Sequence, residues 1–283
     1  MRISKYKKIF SLILIYSFLV LVSIVIFYPF LWMIMASLKQ SDQALFAKSI
    51  FEIFKFEEIG LRNYSALTSL SSPPLLIMAV NSIVTSVVST LVNVICCFFA
   101  AYMLAKHKVI GGKFLLFFFV STMIIPQQVV AVPLYLVLIS LGLINTYQGI
   151  ILSLSAESLT LIILYRFFKE IPKEIIEASY IDGASELDVI FKIIFPLAWP
   201  AVMSAILIQF ITSWNAFIIP LISAIDESLY TLQIGMSYFS NTLFVDFKSI
   251  MTLGTIITIP IILVYFITQK RVIKGITTGS IKE

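Results

Sequence analysis

The chain has 283 residues, of which 60% are hydrophobic and 12% are charged, and its mean hydropathy is +1.03. A soluble domain has about a quarter of its residues charged, so this composition excludes a water-soluble globular protein and indicates that a bilayer surrounds most of the surface. The single histidine excludes His-rich metal sites and most His-based catalysis. The net charge of +5 lies in short clusters between apolar runs, which argues against a nucleic-acid partner.

Six apolar runs have the length that a membrane-spanning helix needs, which is about 20 residues. Pro126 and Pro133 interrupt the third run, and membrane helices tolerate such breaks where neighbouring helices satisfy the freed carbonyls. The first run is longer than the apolar core of a signal peptide, so we predict a retained helix. The predicted fold class is an all-α membrane protein with six spans, at residues 9–35, 75–104, 114–139, 146–168, 197–222 and 247–268.

The distribution of positive charge predicts the topology. With the N-terminus placed on the cytoplasmic side, fifteen of the 20 Lys and Arg residues fall on that side and five on the other. Cytoplasmic loops are enriched in Lys and Arg, so both termini are predicted to be cytoplasmic. The longest cytoplasmic loop, residues 169–196, then lies between the fourth and fifth spans.

The first part of this loop carries the signals of a short helix that ends in a turn. Pro172 suits the first helical turn, where its missing N–H is not needed. Gly183 is the expected stop, because glycine adopts the left-handed conformation at a helix end. The sequence therefore predicts a helix and a glycine turn on the cytoplasmic face.

The second part of the loop carries the signals of another short helix. Ser185 and Asp188 resemble a capping box, and Pro196 is expected to end the helix and to begin the fifth span. This helix should be amphipathic, because apolar residues recur at helical spacing on one face: Leu187, Ile190 and Ile194. The stripe could rest on lipid, on the protein's own cytoplasmic ends or on a partner.

The residues of this loop also carry a resemblance. The segments Glu177-Ala178-Ser179 and Asp182-Gly183-Ala184, followed by Pro196, resemble the EAA loop of binding-protein-dependent ABC permeases. The chain departs from that pattern at Ser179, where alanine is usual, and at Phe195, where leucine is usual. Both departures are mild, and the spacing fits throughout.

The resemblance implies that residues 169–196 form a coupling loop that docks into a cleft of an ATPase subunit. Gly183 would set the turn, Glu177 and Asp182 would provide polar contacts or caps, and Ile190 and its neighbours would fill the cleft. The resemblance assigns ATPase coupling to Glu177, Ala178, Asp182, Gly183, Ala184, Leu187, Ile190 and Pro196.

Other segments resemble the second membrane subunit of maltose-type carbohydrate importers over nearly the whole chain. They are residues 28–39, 81–82, 133–135, 213–217 and 269–282. One departure is Ala216, where an acidic residue often follows Trp-Asn. The resemblance implies the type I ABC importer permease fold in a bacterial cell membrane, with an N-terminal helix and extracellular loop (1–74), a permease core (75–269) and a cytoplasmic tail (270–283).

The resemblance further implies the partners: a related permease subunit that completes a heterodimer, two ATP-binding subunits and an extracellular sugar-binding protein. The chain lacks the phosphate-binding pattern G-x-x-x-x-G-K-[ST], and Gly111-Gly112-Lys113 is too short to replace it. We therefore expect ATP to be bound and hydrolysed by a separate subunit. No cofactor, metal or enzymatic activity is expected in this chain.

Polar residues within spans are costly and usually face a cavity or another helix. Amides suit sugar hydroxyls, so the candidate substrate path comprises Asn81, Asn93, Gln128, Gln209 and Asn215, with Gln127 and Gln233 as further amides. The alternative for each is an interhelical hydrogen bond. Glu157, near the middle of the fourth span, is expected to be paired or to face a cavity.

Two other functions compete with sugar import. An ABC permease for a solute such as glycerol-phosphate would favour a basic group near the path, and none is evident in the spans. A stand-alone secondary transporter or channel would need buried charges on a path, or two matching halves with broken helices. A membrane-embedded enzyme would need a catalytic cluster, which this composition does not supply.

Overall fold

The computed structural model of the chain describes residues 2–40, 54–55, 58–69, 74–240 and 247–279, and helices dominate these segments. In chain order they are α1 (Arg2–Leu38), α2 (Arg62–Thr68), α3 (Leu75–Lys106), α4 (Gly112–Thr122), α5 (Gln127–Ser140), α6 (Tyr147–Leu154), α7 (Leu159–Glu170), α8 (Lys173–Ile181), α9 (Glu186–Asp188), α10 (Phe195–Trp214), α11 (Ile218–Ser223), α12 (Leu232–Ser240) and α13 (Phe247–Gly279). A π-helical turn, Val189–Ile194, joins α9 to α10. Parts of the predicted extracellular loop (41–53, 56–57 and 70–73) and of the tail (280–283) lie outside the described residues.

Six crossings of a membrane fit the described helices. Four continuous helices are long and apolar enough to span: Ile9–Leu38, Leu75–Lys106, Glu186–Trp214 and Phe247–Gln269. Two bent pairs of shorter helices, α4 with α5 and α6 with α7, supply one crossing each if each pair is counted as a span. The all-α class with six predicted spans is thereby confirmed.

The third and fourth spans are broken, and the breaks differ from the expectation. The α4–α5 pair bends by 107° just before Pro126, whose extended backbone (ψ 137°) cannot continue the preceding helix. Pro133 lies inside α5 and does not end it, so only one of the two prolines breaks the span. The α6–α7 pair bends by 43° at residues 155–158, a break that no proline marks and that the sequence did not predict.

The fifth span begins earlier than predicted. Pro196 was expected to end the second loop helix, yet α9, the π turn and α10 run as one helix, Glu186–Trp214, through it. The Phe195 N–H donates to the Ile190 carbonyl, five residues back, which widens the helix just before the proline. Pro196 lies in the first turn of α10, directly after the π turn. The hydrogen-bonding pattern has already shifted there, so the proline ring and the missing N–H do not end the helix.

The chain divides into two compact units, and the first comprises Met1–Leu70 and Met236–Thr258. In it the amide nitrogen of Asn63, in α2, donates to the Ser37 and Lys39 carbonyls, both at 2.8 Å. These are carbonyls at the end of α1 that have no helical partner, so the Asn63 side chain completes that helix end.

The second unit comprises Ser71–Gly235 and Ile259–Glu283, and it holds the main core where α3, α7 and α10 pack together. Edge-to-face aromatic contacts join the three helices: Phe98 lies 5.1 Å from Phe168 and 5.8 Å from Phe195 between ring centroids. Small residues let the helices approach closely, and several are buried in this core: Ala101, Ala198, Ala201 and Ala205.

The same core extends into the coupling loop. Ile176 of α8 and three residues of the π turn belong to it: Val189, Ile190 and Ile194. Two residues of the predicted apolar stripe, Ile190 and Ile194, therefore rest on the protein's own helices, while Leu187 is exposed. The loop is seated on α3, α7 and α10.

Candidate functional site

The first half of the coupling loop is a short helix closed by a glycine turn. Pro172 stands directly before α8 with an extended backbone, so its missing N–H costs no helical hydrogen bond. Gly183 has φ +83°, its N–H donates to the Tyr180 carbonyl (3.1 Å), and the Ala184 N–H donates to the Ser179 carbonyl (3.0 Å). These two bonds form a Schellman motif, which satisfies carbonyls left free at the helix end. The predicted turn is confirmed.

The second half of the loop begins with a reciprocal cap. The Asp188 N–H donates to Ser185 Oγ (3.3 Å), and the Ser185 N–H donates to the Asp188 carboxylate (3.2 Å). This is the predicted capping box, with aspartate as the acid. Lys192 Nζ lies 2.5 Å from the same carboxylate, one helical turn further on. Local bonds therefore define both halves of the loop.

The predicted coupling residues divide into an exposed and a buried group. The exposed group comprises Glu177, Ala178, Asp182, Gly183, Leu187 and Pro196, and Ala184 is half-buried. Ile190 is only 5% exposed and lies in the core, so the prediction that it fills an ATPase cleft is wrong for this structure. Leu187, at helical spacing from it, is 64% exposed. Leu187 lies in α9 and Ile190 in the π turn that follows it, so the two residues do not share the angular spacing of one regular α-helix.

Ile181 is a surface residue that the sequence pattern did not single out. It is the last residue of α8 and is 87% exposed, directly before the glycine turn. The inward face of α8 carries Ile176 and Ser179 instead, and the Ser179 hydroxyl donates to the Ile176 carbonyl (2.6 Å). Since Ser179 is buried and its hydroxyl is satisfied, serine can replace the usual alanine there at little cost.

The Glu186 carboxylate, at the start of α9, lies within hydrogen-bond distance of three side chains that the sequence pattern did not connect to it. Glu186 accepts hydrogen bonds from the Tyr102 hydroxyl (2.8 Å) and from the Tyr180 hydroxyl, and His107 Nε2 lies 3.1 Å away. We call these four residues the Glu186 cluster. The bond to the carboxylate raises the pKa of the Tyr180 phenol above its ordinary value. Two of the donors are 79 and 84 residues away in sequence, so local spacing could not have found them.

Replacement of Gly183 with alanine tests the glycine turn. A Cβ at this position would meet nothing within 4 Å, so the cost is that of the left-handed backbone, about 1–2 kcal/mol for an L-residue. We expect a correspondingly lower free energy of unfolding, measured by thermal or denaturant unfolding in detergent. Gly112→Ala is the control, because its Cβ would meet its nearest neighbours at 3.4 Å without a positive φ. Equal effects at both positions would contradict a turn that requires glycine.

The second candidate region is a cavity of about 380 Å³ at the helix breaks of the second unit. It is lined by both sides of the α4–α5 break, by the end of α6 and the residues of the α6–α7 break, and by the junction of α10 with α11. Its polar lining includes Gln127, Ser153, Glu157, Ser158 and Thr212. Irregular backbone at membrane depth is tolerated where it lines a cavity, and this volume lies in the range of small-molecule sites. Glu157 was expected to be paired or to face a cavity, and it lines this cavity.

Two amides assigned to the substrate path instead hold the α6–α7 break. The Asn93 amide nitrogen donates to the Ser155 carbonyl (2.8 Å) and the Glu157 carbonyl (2.9 Å). The Gln209 amide nitrogen donates to the Leu154 carbonyl (2.9 Å). Both side chains are fully buried, so the interhelical alternative describes them and the assignment to the path does not. Each satisfies carbonyls near the end of α6, where the regular helical bonds stop.

The other three path candidates are also outside the cavity lining. Asn81 is buried and donates to the Ser228 (2.8 Å) and Tyr230 (2.9 Å) carbonyls. Asn215 is exposed and donates to a carbonyl of its own helix, and Gln128 is exposed beside the cavity residue Gln127. The cavity therefore brings Gln127 and Glu157 together with hydroxyl groups, and the five amides of the predicted path are not in its lining.

Comparison with known proteins identifies the class of this chain. Residues 97–278 match the family described as "Binding-protein-dependent transport system inner membrane component". The match covers more than half of the chain, and the chain belongs to this family. It is therefore a membrane-embedded permease component of a binding-protein-dependent ABC importer, as the EAA-like loop predicted.

Similar proteins cover nearly the full length. The chain is 31% identical to the probable ABC transporter permease protein YurM of Bacillus subtilis, over 95% of this chain and 88% of that one. It is 31% identical to the trehalose/maltose transport system permease protein MalG of Thermococcus litoralis, over 93% and 94%. A bacterial ABC transporter that imports the acidic polysaccharide alginate has the same fold, with a TM-score of 0.78 at 22% identity, over 93% of this chain and 96% of that one.

Proposed function

We propose that this chain is one membrane subunit of an ATP-driven sugar importer and that its coupling loop docks onto an ATP-hydrolysing subunit. The observation that carries the proposal is the pair of exposed apolar side chains, Ile181 and Leu187, on either side of the Gly183 turn. They project from a loop whose base is buried in the core of α3, α7 and α10.

A surface of this kind suits the transmission of movement. Exposed apolar side chains outside the bilayer favour a protein partner that covers them. The buried base, with Ile176 and Ile190 packed in the core, means that a push on the loop moves the helices beneath it and does not merely bend the loop. The Schellman turn and the capping box keep the surface rigid, so little ordering is needed on docking.

The remaining partners follow from this assignment. A related but different permease subunit would complete the membrane domain as a heterodimer, and an extracellular binding protein would deliver the sugar. Two ATP-binding subunits would bind and hydrolyse ATP, so this chain would need no cofactor and would perform no catalysis itself. With the coupling loop on the ATPase side, both termini lie in the cytoplasm, in agreement with the charge bias of the loops.

An uncharged sugar is the substrate class that we propose. Relatives include the permease proteins of a trehalose/maltose transport system and of a diacetylchitobiose uptake system, and these compounds are uncharged sugars. The cavity offers hydroxyl and amide groups, and Glu157 is the single charged side chain among its described lining residues. A glycerol-phosphate permease would favour a basic group there, so the cavity supports the sugar over that alternative.

Ile181→Asp tests the docking surface. A carboxylate in place of an apolar anchor would have to be desolvated on docking, so we expect the affinity for the ATPase subunits to fall by about two orders of magnitude. Co-purification of the ATPase with the membrane subunits and sugar uptake by cells both report this loss. Ile225→Asp is the control, because Ile225 is also exposed (61%, against 87% for Ile181) and, by the proposed topology, lies on the other side of the membrane.

The proposal predicts that the two variants differ in their affinity for the ATPase subunits. Ile225→Asp should leave co-purification of the ATPase unchanged. If Ile181→Asp also retains a normal ATPase partner and normal uptake, the coupling loop is not the docking surface and the proposed function is wrong in that part.

A further inference from the structure

The Glu186 cluster joins three separate segments of the second unit at one carboxylate. Tyr102 lies near the end of α3, His107 follows that helix, and Tyr180 lies in α8. Glu186 itself opens the helix that continues as α10. One side chain thus connects both halves of the coupling loop to α3.

The bonds in the cluster are charge-assisted, and the one from Tyr102 is partly buried. Tyr102 is fully buried, so its hydroxyl depends on a protein partner, and Glu186 is the partner that it has. A second bond ties the same helix end to the loop, because Lys106 Nζ donates to the Ile171 carbonyl (2.5 Å), just before α8. The end of α3 is therefore attached to the loop on both sides of α8.

The same helix also contacts the α6–α7 break beside the cavity. Asn93 lies nine residues before Tyr102 in α3, which is about 14 Å along the helix axis. Its amide holds the Ser155 and Glu157 carbonyls at the α6–α7 break, and Glu157 lines the cavity. A continuous series of contacts therefore runs from the coupling loop through Glu186, Tyr102 and α3 to the broken helix.

We propose that Glu186 is a positioning residue that transmits movement of the coupling loop, through Tyr102 and α3, to the helix break beside the cavity. The proposal rests on the proposed function, in that the ATPase must act on the coupling loop. It adds that the packed base of the loop is not sufficient and that transmission to the break also requires one carboxylate and the hydroxyl groups whose hydrogen bonds it accepts. The hydrogen bonds along this series are known individually, so a variant that removes one of them tests its contribution to the coupling.

The test uses the complete importer, with its partner permease and ATPase subunits, in lipid nanodiscs. Hydrogen exchange followed by mass spectrometry compares the ATP-plus-vanadate state with the nucleotide-free state at two places, the loop (177–187) and the break (155–159). The variants are Glu186→Ala and Tyr102→Phe, with Glu170→Ala as a control that removes an exposed acid from the end of α7.

In the wild type and in Glu170→Ala, ATP plus vanadate should change exchange at both places. In Glu186→Ala and Tyr102→Phe, we expect the change at the loop to persist and the change at the break to fall by roughly fivefold or more, the lower range of measured coupling between sites. Glu186→Gln keeps one oxygen that can accept a bond and should give an intermediate change. A purely structural role would alter both places alike.

Two results would overturn the inference, and they can be told apart. If Glu186→Ala and Tyr102→Phe keep the full ATP-dependent change at the break, Glu186 does not transmit the movement, while the docking role of the loop stands. If the wild type shows no ATP-dependent change at the loop, the proposed function fails and the inference with it. Where Glu186→Ala does not assemble, Tyr102→Phe and Glu186→Gln decide the question.

Discussion

Replacing Asn93 with leucine is expected to destabilise the permease and to loosen the α6–α7 break. The variant removes the donor to two carbonyls, those of Ser155 and Glu157, which the break leaves without helical partners. It also removes Asn93 Oδ1, a buried oxygen that accepts no bond from the described residues. The net result is one additional unsatisfied buried acceptor, which costs about 1–3 kcal/mol.

The measurement is the free energy of unfolding in detergent, together with sugar uptake by the assembled importer. Uptake should fall more than stability alone explains, because Glu157 lines the cavity and its backbone is held by Asn93. Asn215→Leu is the control, since Asn215 is exposed and its amide donates to the Ile211 carbonyl, one turn back in α10. Equal destabilisation by the two variants would show that the buried amide is not what holds the break.

Replacing Gly149 with alanine is expected to have the largest effect on stability among the glycine variants. A Cβ at Gly149 would lie 2.2 Å from the Leu143 carbonyl oxygen, and a backbone atom cannot move aside as the end of a side chain can. Gly149 is in the first turn of α6, where its N–H donates to the Thr146 hydroxyl (3.1 Å), so the turn before the helix would have to shift. Such overpacking costs about 1–3 kcal/mol or more.

A rank order makes this prediction sharper. Gly235→Ala would place a Cβ 2.3 Å from the sulfur of Met78, a flexible side chain, and Gly112→Ala would meet its neighbours at 3.4 Å. We therefore expect thermal unfolding to show the greatest loss for Gly149→Ala, a smaller loss for Gly235→Ala and little change for Gly112→Ala. A loss for Gly235→Ala as large as that for Gly149→Ala would contradict the distinction between backbone and side-chain contacts.

The predictions that were confirmed concern features set by neighbouring residues. The break at Pro126, the glycine turn at Gly183 and the capping box of Ser185 and Asp188 each depend on residues within a few positions of one another. The backbone conformation at such sites follows from the residue type, so it can be read from the sequence.

The predictions that failed concern the direction in which a side chain points. Ile190 was expected at the surface and is buried, because the π turn changes the angular spacing and the core covers that face. Asn93 and Gln209 were assigned to a substrate path, and each bonds instead to a carbonyl more than fifty positions away. A polar residue in a membrane span needs a hydrogen-bonding partner, but the sequence does not show whether that partner is a substrate or another helix.

The sequence by itself determined the membrane class, the six apolar runs, the glycine turn and the family resemblance of the coupling loop, because each follows from composition or from short-range spacing. Only the tertiary structure decided which amides hold the α6–α7 break, that the helix continues through Pro196 and that Glu186 joins α8 to α3. These features depend on groups distant in the chain that meet only when the helices pack, and helix packing depends on the shapes of whole surfaces.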